Sequence, residues 1–221
     1  MTRAFTLLTA LLLCSPLWAQ SQTEQLGGFK LNLRSNQDVV AGETFKADRD
    51  YLTKHGKDEA AAFAVVVPLS GDGSYQSRVV ETPQTGLVKF VFSTEGGGLI
   101  EAVTFSDLSL PMAEEEPRLE YLMEIMNALV VPGFIEGKAG ASRQNIRKVD
   151  VGGLRAVEIF GSYDDPTFGK VHWRLLGLPN PQAEAGVVAL AQISEEAVPI
   201  GSPDDFPSSL SGRVLESLKF E

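Results

Sequence analysis

The chain has 221 residues, with 19 basic and 29 acidic side chains, a net charge of −10, one cysteine and two histidines. An acidic balance without a run of Lys or Arg speaks against nucleic acid and against anionic lipid surfaces, which clustered cations hold. One cysteine and two separated histidines are poor material for a metal centre, and neither a metal nor a cofactor is expected.

Residues 1–20 read as a secretory signal. Arg3 supplies the positive start, Leu7 to Leu13 the apolar stretch, Pro16 the break and Ala19 the small residue for cleavage. The apolar stretch is shorter than the roughly 20 residues a membrane span requires, so no stable membrane anchor is expected in the mature chain. Cys14 stands where a lipoprotein cysteine would, but Leu13 before it is not the small residue that lipid attachment uses. Cleavage near Ala19 removes the only cysteine and Arg3, leaving 18 basic against 29 acidic residues, a net charge of −11. The mature protein then has no disulfide and depends on its core. Residues 21–27 form a polar lead-in, and residues 28–221 show no linker, repeat or low-complexity stretch, which predicts one domain.

Phe29, Leu31 and Leu33 alternate with polar residues, the period of a half-buried strand. Ala47 to Lys57 predicts a short exposed helix. Ala62 to Val67 is a continuous apolar run and predicts an interior strand closed by Pro68. Ser70-Gly71-Asp72-Gly73 predicts a tight hairpin turn. Strands follow at Tyr75–Glu81, Leu87–Ser93 and Leu99–Phe105, separated by turns at Pro83–Gly86 and Gly96–Gly98. Leu119, Leu122, Met123, Met126 and Leu129 form one apolar helical stripe, preceded by Glu114–Glu116 and stopped by Pro132-Gly133. Strands are predicted again at Ile146–Val151, Leu154–Tyr163, Lys170–Leu178 and Val187–Ser194. Leu210 to Leu218 closes the chain as a helix capped by Ser208 or Ser209. Many strands joined by short turns, with few helices, predict an α+β fold: an antiparallel sheet packed against a few helices.

No local signature of a serine hydrolase, a dinucleotide fold or a phosphate loop occurs. The pairs Asp164-Asp165 and Asp204-Asp205 are adjacent, so on an extended chain their carboxylates diverge. His55 lies in a polar turn and reads as a solvated residue. His172 lies on a predicted strand where Val171, Trp173 and Leu175 share one face and His172, Arg174 and Leu176 the other. Tyr163, His172, Trp173 and Arg174 are the candidate binding residues, because aromatic area beside a cation supplies both stacking and charge-assisted hydrogen bonds.

Val149-Asp150-Val151-Gly152-Gly153-Leu154-Arg155-Ala156-Val157-Glu158 feeds a strand, followed by Tyr163 and Gly169-Lys170-Val171-His172-Trp173-Arg174. Gly186 to Leu190 and the closing Gly212 to Phe220 complete the series. In this order the C-terminal half resembles PsbP-like and DcrB-like exported proteins. The resemblance implies an antiparallel sheet flanked by helices and an accessory or binding role without a shared catalytic site, so no catalytic residue carries over.

The expectation is a periplasmic or secreted protein that binds a partner protein or small ligand of the cell envelope and has no catalytic site. Two alternatives stand beside it. An exported hydrolase with a dispersed active site would place a histidine within reach of a serine and a carboxylate. A structural envelope protein would carry a large apolar surface patch.

Overall fold

A computed structural model of the chain describes residues 42–81 and 86–221. The expected signal sequence with its cleavage point, the expected lead-in, the strand predicted at Phe29–Leu33 and most of the turn predicted at Pro83–Gly86 lie outside the described residues.

The architecture is α+β, with every strand pairing antiparallel. β1 (Gly42–Ala47) leads into α1 (Arg49–Lys54), whose N-cap Asp48 accepts from the Tyr51 amide at 2.9 Å. β2 (Phe63–Pro68), β3 (Gln76–Glu81), β4 (Val88–Ser93) and β5 (Leu99–Ser109) follow. The helical stretch then runs as α2 (Glu115–Ile125), a π-helical turn at Met126–Val130 and α3 (Val131–Ile135). β6 (Ala139–Arg143), β7 (Arg147–Val151), β8 (Leu154–Asp165), β9 (Gly169–Pro179) and β10 (Ala185–Ser194) form the second run of strands. A 3-10 turn (Pro203–Ser208), α4 (Leu210–Glu216) and the short β11 (Lys219–Phe220) end the chain.

The large sheet has the order β3-β4-β5-β10-β9-β8-β6, with β7 pairing β8 beside β6. The small sheet is β1-β2-β11. A core cluster covers each face of the large sheet. On one, Leu119, Leu122, Met126, Val131 and Phe134 of the helical stretch meet Val157, Ile159, Trp173 and Leu175. On the other, small-sheet residues such as Phe63 and Val65 join Phe206, Leu210 and Val214 over Phe160, Leu176 and Ala189. The continuous apolar run of β2 suits its place between β1 and β11. Gly161 and Gly177 let partners approach the helical face. A Cβ on Gly161 would stand 2.3 Å from the Trp173 ring, and one on Gly177 would stand 2.9 Å from Met126 Sδ.

Four expectations are corrected. Pro132-Gly133 does not end the helix. The π turn lets the chain continue, with Pro132 in the first turn of α3, where a missing N–H is tolerated. The same extra residue rotates the stripe, so Val130, Val131 and Phe134 go inward and Leu129 is 46% exposed. The loop at Ser70–Gly73 is a crossover, not a hairpin, because β2 and β3 belong to different sheets. His55 is not solvated. It caps α1 with its side chain 11% exposed, its ring centroid is 4.6 Å from that of Tyr51, and its Nε2 is 3.4 Å from Glu81. The strand expected at Leu99–Phe105 is also longer than its apolar pattern indicates, since pairing with β10 extends it to Ser109.

Candidate functional site

The strand alternation read for β9 is correct, and both of its faces are buried. This divides the four candidate binding residues. Tyr163, from β8, and Trp173 belong to the core beneath the helical stretch. His172 and Arg174 face the opposite layer, where the His172 ring stacks on Phe160, itself packed edge-on against Phe206. The structure therefore joins them in two pairs and not into one surface.

On the His172 side the polar groups engage one another. Glu158 accepts from Arg174 Nε and from Arg147 Nε, each at 2.5 Å. The side chains of Glu158 and Arg174 are 2% and 5% exposed, and that of Arg147 is 49% exposed. Arg147 also approaches Asp204 at 3.8 Å. A carboxylate flanked by two guanidiniums in this way is neutralised where it could not be hydrated. Glu101, fully buried, accepts from the Leu210 and Ser211 amides and the Ser211 hydroxyl. Burial pushes its carboxyl above the ordinary range, and the Ser211 and Leu210 hydrogen bonds oppose that shift. Its role is to dock the start of α4 onto β5.

His172 Nε2 lies 3.2 Å from Glu195, which Lys170 also approaches at 3.6 Å. Burial lowers the imidazole pKa, against the pull of Glu195. Ser162 is the cross-strand partner of His172, but its hydroxyl bonds to Ser142 at 2.9 Å, and His172 Nδ1 has no partner. The histidine thus has a carboxylate to orient it and no nucleophile on its second nitrogen. Among the described residues, no group of three or more His, Cys, Asp or Glu side chains could hold a metal ion.

The helical side has a different character. Phe134 meets Tyr163 and Trp173 edge-on, with ring centroids 6.1 and 5.3 Å apart. Gln192 donates to the Tyr163 hydroxyl at 2.9 Å and fixes that ring. Lys138, in the turn after α3, sets its ammonium 4.4 Å from the Tyr163 centroid and 5.2 Å from the Phe134 centroid. Both distances are within the roughly 6 Å at which a cation feels an aromatic face. Among the described residues no carboxylate lies within ion-pair distance of it. Burial lowers its pKa, and only the field of Asp165 opposes the shift. Burial likewise pushes the Tyr163 phenol up. This corner joins aromatic area to a cation, the combination expected of a binding site, with Lys138 in place of Arg174.

Sequence reasoning passes over Lys138 and Phe134. They lie four residues apart, but the wall that completes the corner comes from β8, and no local pattern shows that approach. The one sequence signal is a lysine beside Gly137, in the short connection between an apolar helix and β6.

No protein-family model matches the chain, and no curated protein does. Solved structures do. The cyanobacterial PsbP (CyanoP) of Synechocystis is similar at 14% identity and a TM-score of 0.47, over 84% of this chain and 96% of that one. LpqN of Mycobacterium tuberculosis, involved in cell envelope biogenesis, is similar at 12% identity and a TM-score of 0.44, over 85% and 94%. The Ran-binding protein Mog1p of Saccharomyces cerevisiae is similar at 11% identity and a TM-score of 0.41, over 82% and 96%. The PsbP likeness read from the C-terminal half thus has a counterpart among solved structures. At these identities no residue role passes to this chain.

Proposed function

We infer that this chain is an exported, non-catalytic binding protein of the cell envelope, and that it recognises its ligand or partner at the corner formed by Phe134, Lys138 and Tyr163. The observation that carries the reading is the Lys138 ammonium, which stands over two aromatic rings with no paired carboxylate among the described residues. Cations and rings are recognition chemistry, since each offers an interaction that an incoming group can take over. The buried charges elsewhere support the same view. Glu101 and Glu158 are engaged in joining layers of the fold, and His172 has no nucleophile beside it. Export rests on the leader in residues 1–20.

The test is to produce the full-length chain in its native envelope, and to isolate it beside a Tyr163→Leu variant. Mass spectrometry of the protein should find a mature chain beginning near residue 20 outside the cytosol. Mass spectrometry of what accompanies it should find a species bound to the wild type and depleted at least tenfold on the variant. An intact leader on cytosolic protein overturns export. Identical companions on both proteins overturn the site.

A further inference from the structure

We propose that the Phe134–Tyr163 corner is a site for a quaternary ammonium group, and that Lys138 is a built-in occupant which such a ligand displaces. This rests on the binding reading above and names the chemical class of its ligand.

The argument starts from the mismatch between Lys138 and its surroundings. A primary ammonium is compact and strongly hydrated, and it carries three N–H donors. Here it is half-buried against rings that offer no strong acceptor, and none of its donors meets one among the described residues. A cation without N–H groups loses nothing in the same place. A tetraalkylated nitrogen spreads its charge over methyl groups, is weakly hydrated, and makes dispersion contacts with ring faces as well as the electrostatic one. The corner is therefore better suited to a methylated cation than to the cation it holds.

The walls are also built to stay in place. The Phe134 and Tyr163 rings stand at 77° to each other, so together they offer two sides of a box. Phe134 is held from behind by Trp173, at 74° and 5.3 Å, and Tyr163 is fixed by Gln192. Pre-formed walls lower the ordering cost of binding. Lys138, by contrast, hangs from a turn whose preceding residue, Gly137, has φ of +73°. Its long stem can leave the box without disturbing a strand.

The probe is tetramethylammonium chloride, titrated at constant ionic strength against sodium chloride. The protein is the full chain carrying Trp18→Phe, which leaves Trp173 as the only tryptophan. Its indole resonance, one ring away from the box, reports occupancy by NMR. Lys138→Ala should bind the probe at least tenfold more tightly than the lysine-bearing chain. Lys138→Gln, which keeps the stem and loses the charge, should fall between them. Adding Tyr163→Leu to Lys138→Ala should weaken binding at least tenfold, with circular dichroism confirming a folded chain. Choline and phosphatidylcholine vesicles, run in parallel, separate a free ligand from a lipid headgroup. Equal affinity in Lys138→Ala, Lys138→Gln and the lysine-bearing chain overturns the proposal, as does binding that survives Tyr163→Leu. If the probe fails while the envelope protein still loses its companion on Tyr163→Leu, the ligand class falls and the binding reading stands.

Discussion

Replacing Glu158 by Gln tests whether the charges between the two sheets behave as a unit. Glu158 neutralises Arg174, whose side chain is 5% exposed, and it also meets Arg147, whose side chain is 49% exposed. The variant leaves Arg174 buried and uncompensated, because among the described residues its ion-pair partner is Glu158, and Asp204 approaches Arg147 instead, at 3.8 Å. Breaking a buried pair by removing one partner costs about 3–5 kcal/mol. For a chain of this size each kcal/mol moves the melting temperature by roughly 2–4 °C, so a fall of about 6–20 °C is expected. Arg147→Ala should cost under about 1 kcal/mol, since its partner keeps Arg174 and its own head is in water. The decisive protein is the double variant Glu158→Leu with Arg174→Met. Removing both charges removes both desolvation penalties, so it should be at least about 2 kcal/mol more stable than Glu158→Gln. Urea unfolding followed by circular dichroism measures all four proteins. A Glu158→Gln variant within about 1 kcal/mol of wild type would refute the reasoning. A double variant no more stable than the single would refute it equally.

Two further predictions follow from the same core. His172 has its pKa lowered by burial, so between that value and the ordinary 6.5 the unfolded chain binds more protons than the folded one. Stability therefore rises with pH through this window, is complete above about 6.5, and is lost as pH falls below it. Glu101, whose folded pKa is raised, acts with the opposite sign. The measurement is thus the difference between wild type and His172→Gln in urea unfolding from pH 7.5 to 5, and a slope unchanged by the substitution would exclude His172 as its source. Gly161→Ala should cost more than Gly177→Ala. Its Cβ would meet the Ser142 carbonyl at 2.2 Å and the rigid Trp173 ring, whereas the second meets the flexible ends of Met126 and Leu122. Overpacking costs about 1–3 kcal/mol, with Gly161→Ala expected at the upper end, and thermal unfolding ranks the two. The opposite ranking would contradict the packing described for the helical face.

The elements that were legible in the sequence are those whose pattern is local. Strand alternation places Trp173 and Arg174 on opposite faces correctly, and the predicted stripe buries Leu119, Leu122 and Met126, with Met123 partly buried against them. The stripe fails at Leu129 because a π turn changes the residue count per turn, and such a turn has no sequence period of its own. β1 and β6 were not legible either. β1 exists through its pairing with β2, and β6 is a fully exposed edge strand of small and polar residues without hydrophobic alternation. Nor does alternation tell whether a face is open. The cover over His172 and Arg174 comes from both ends of the described chain, from β2 and from the segment Pro203–Glu216.

The same distinction explains the fate of the candidate site. A charged residue inside a strand suggests an open face, because an isolated buried charge is prohibitively costly. Arg174 escapes that rule through Glu158, which is displaced by one cross-strand pair, since Glu158 is registered with Leu176 and Phe160 with Arg174. Register is a property of the folded sheet, so the compensation cannot be read from either strand alone. Aromatic area beside a cation is nevertheless present on the same two strands' other face. Tyr163 belongs to it as expected, and the cation is supplied by Lys138, from the turn that follows the helices. If recognition is to occur on this domain, the cation worth removing is Lys138, which has no carboxylate within ion-pair distance among the described residues, for there a ligand has only a side chain to displace and no ion pair to break.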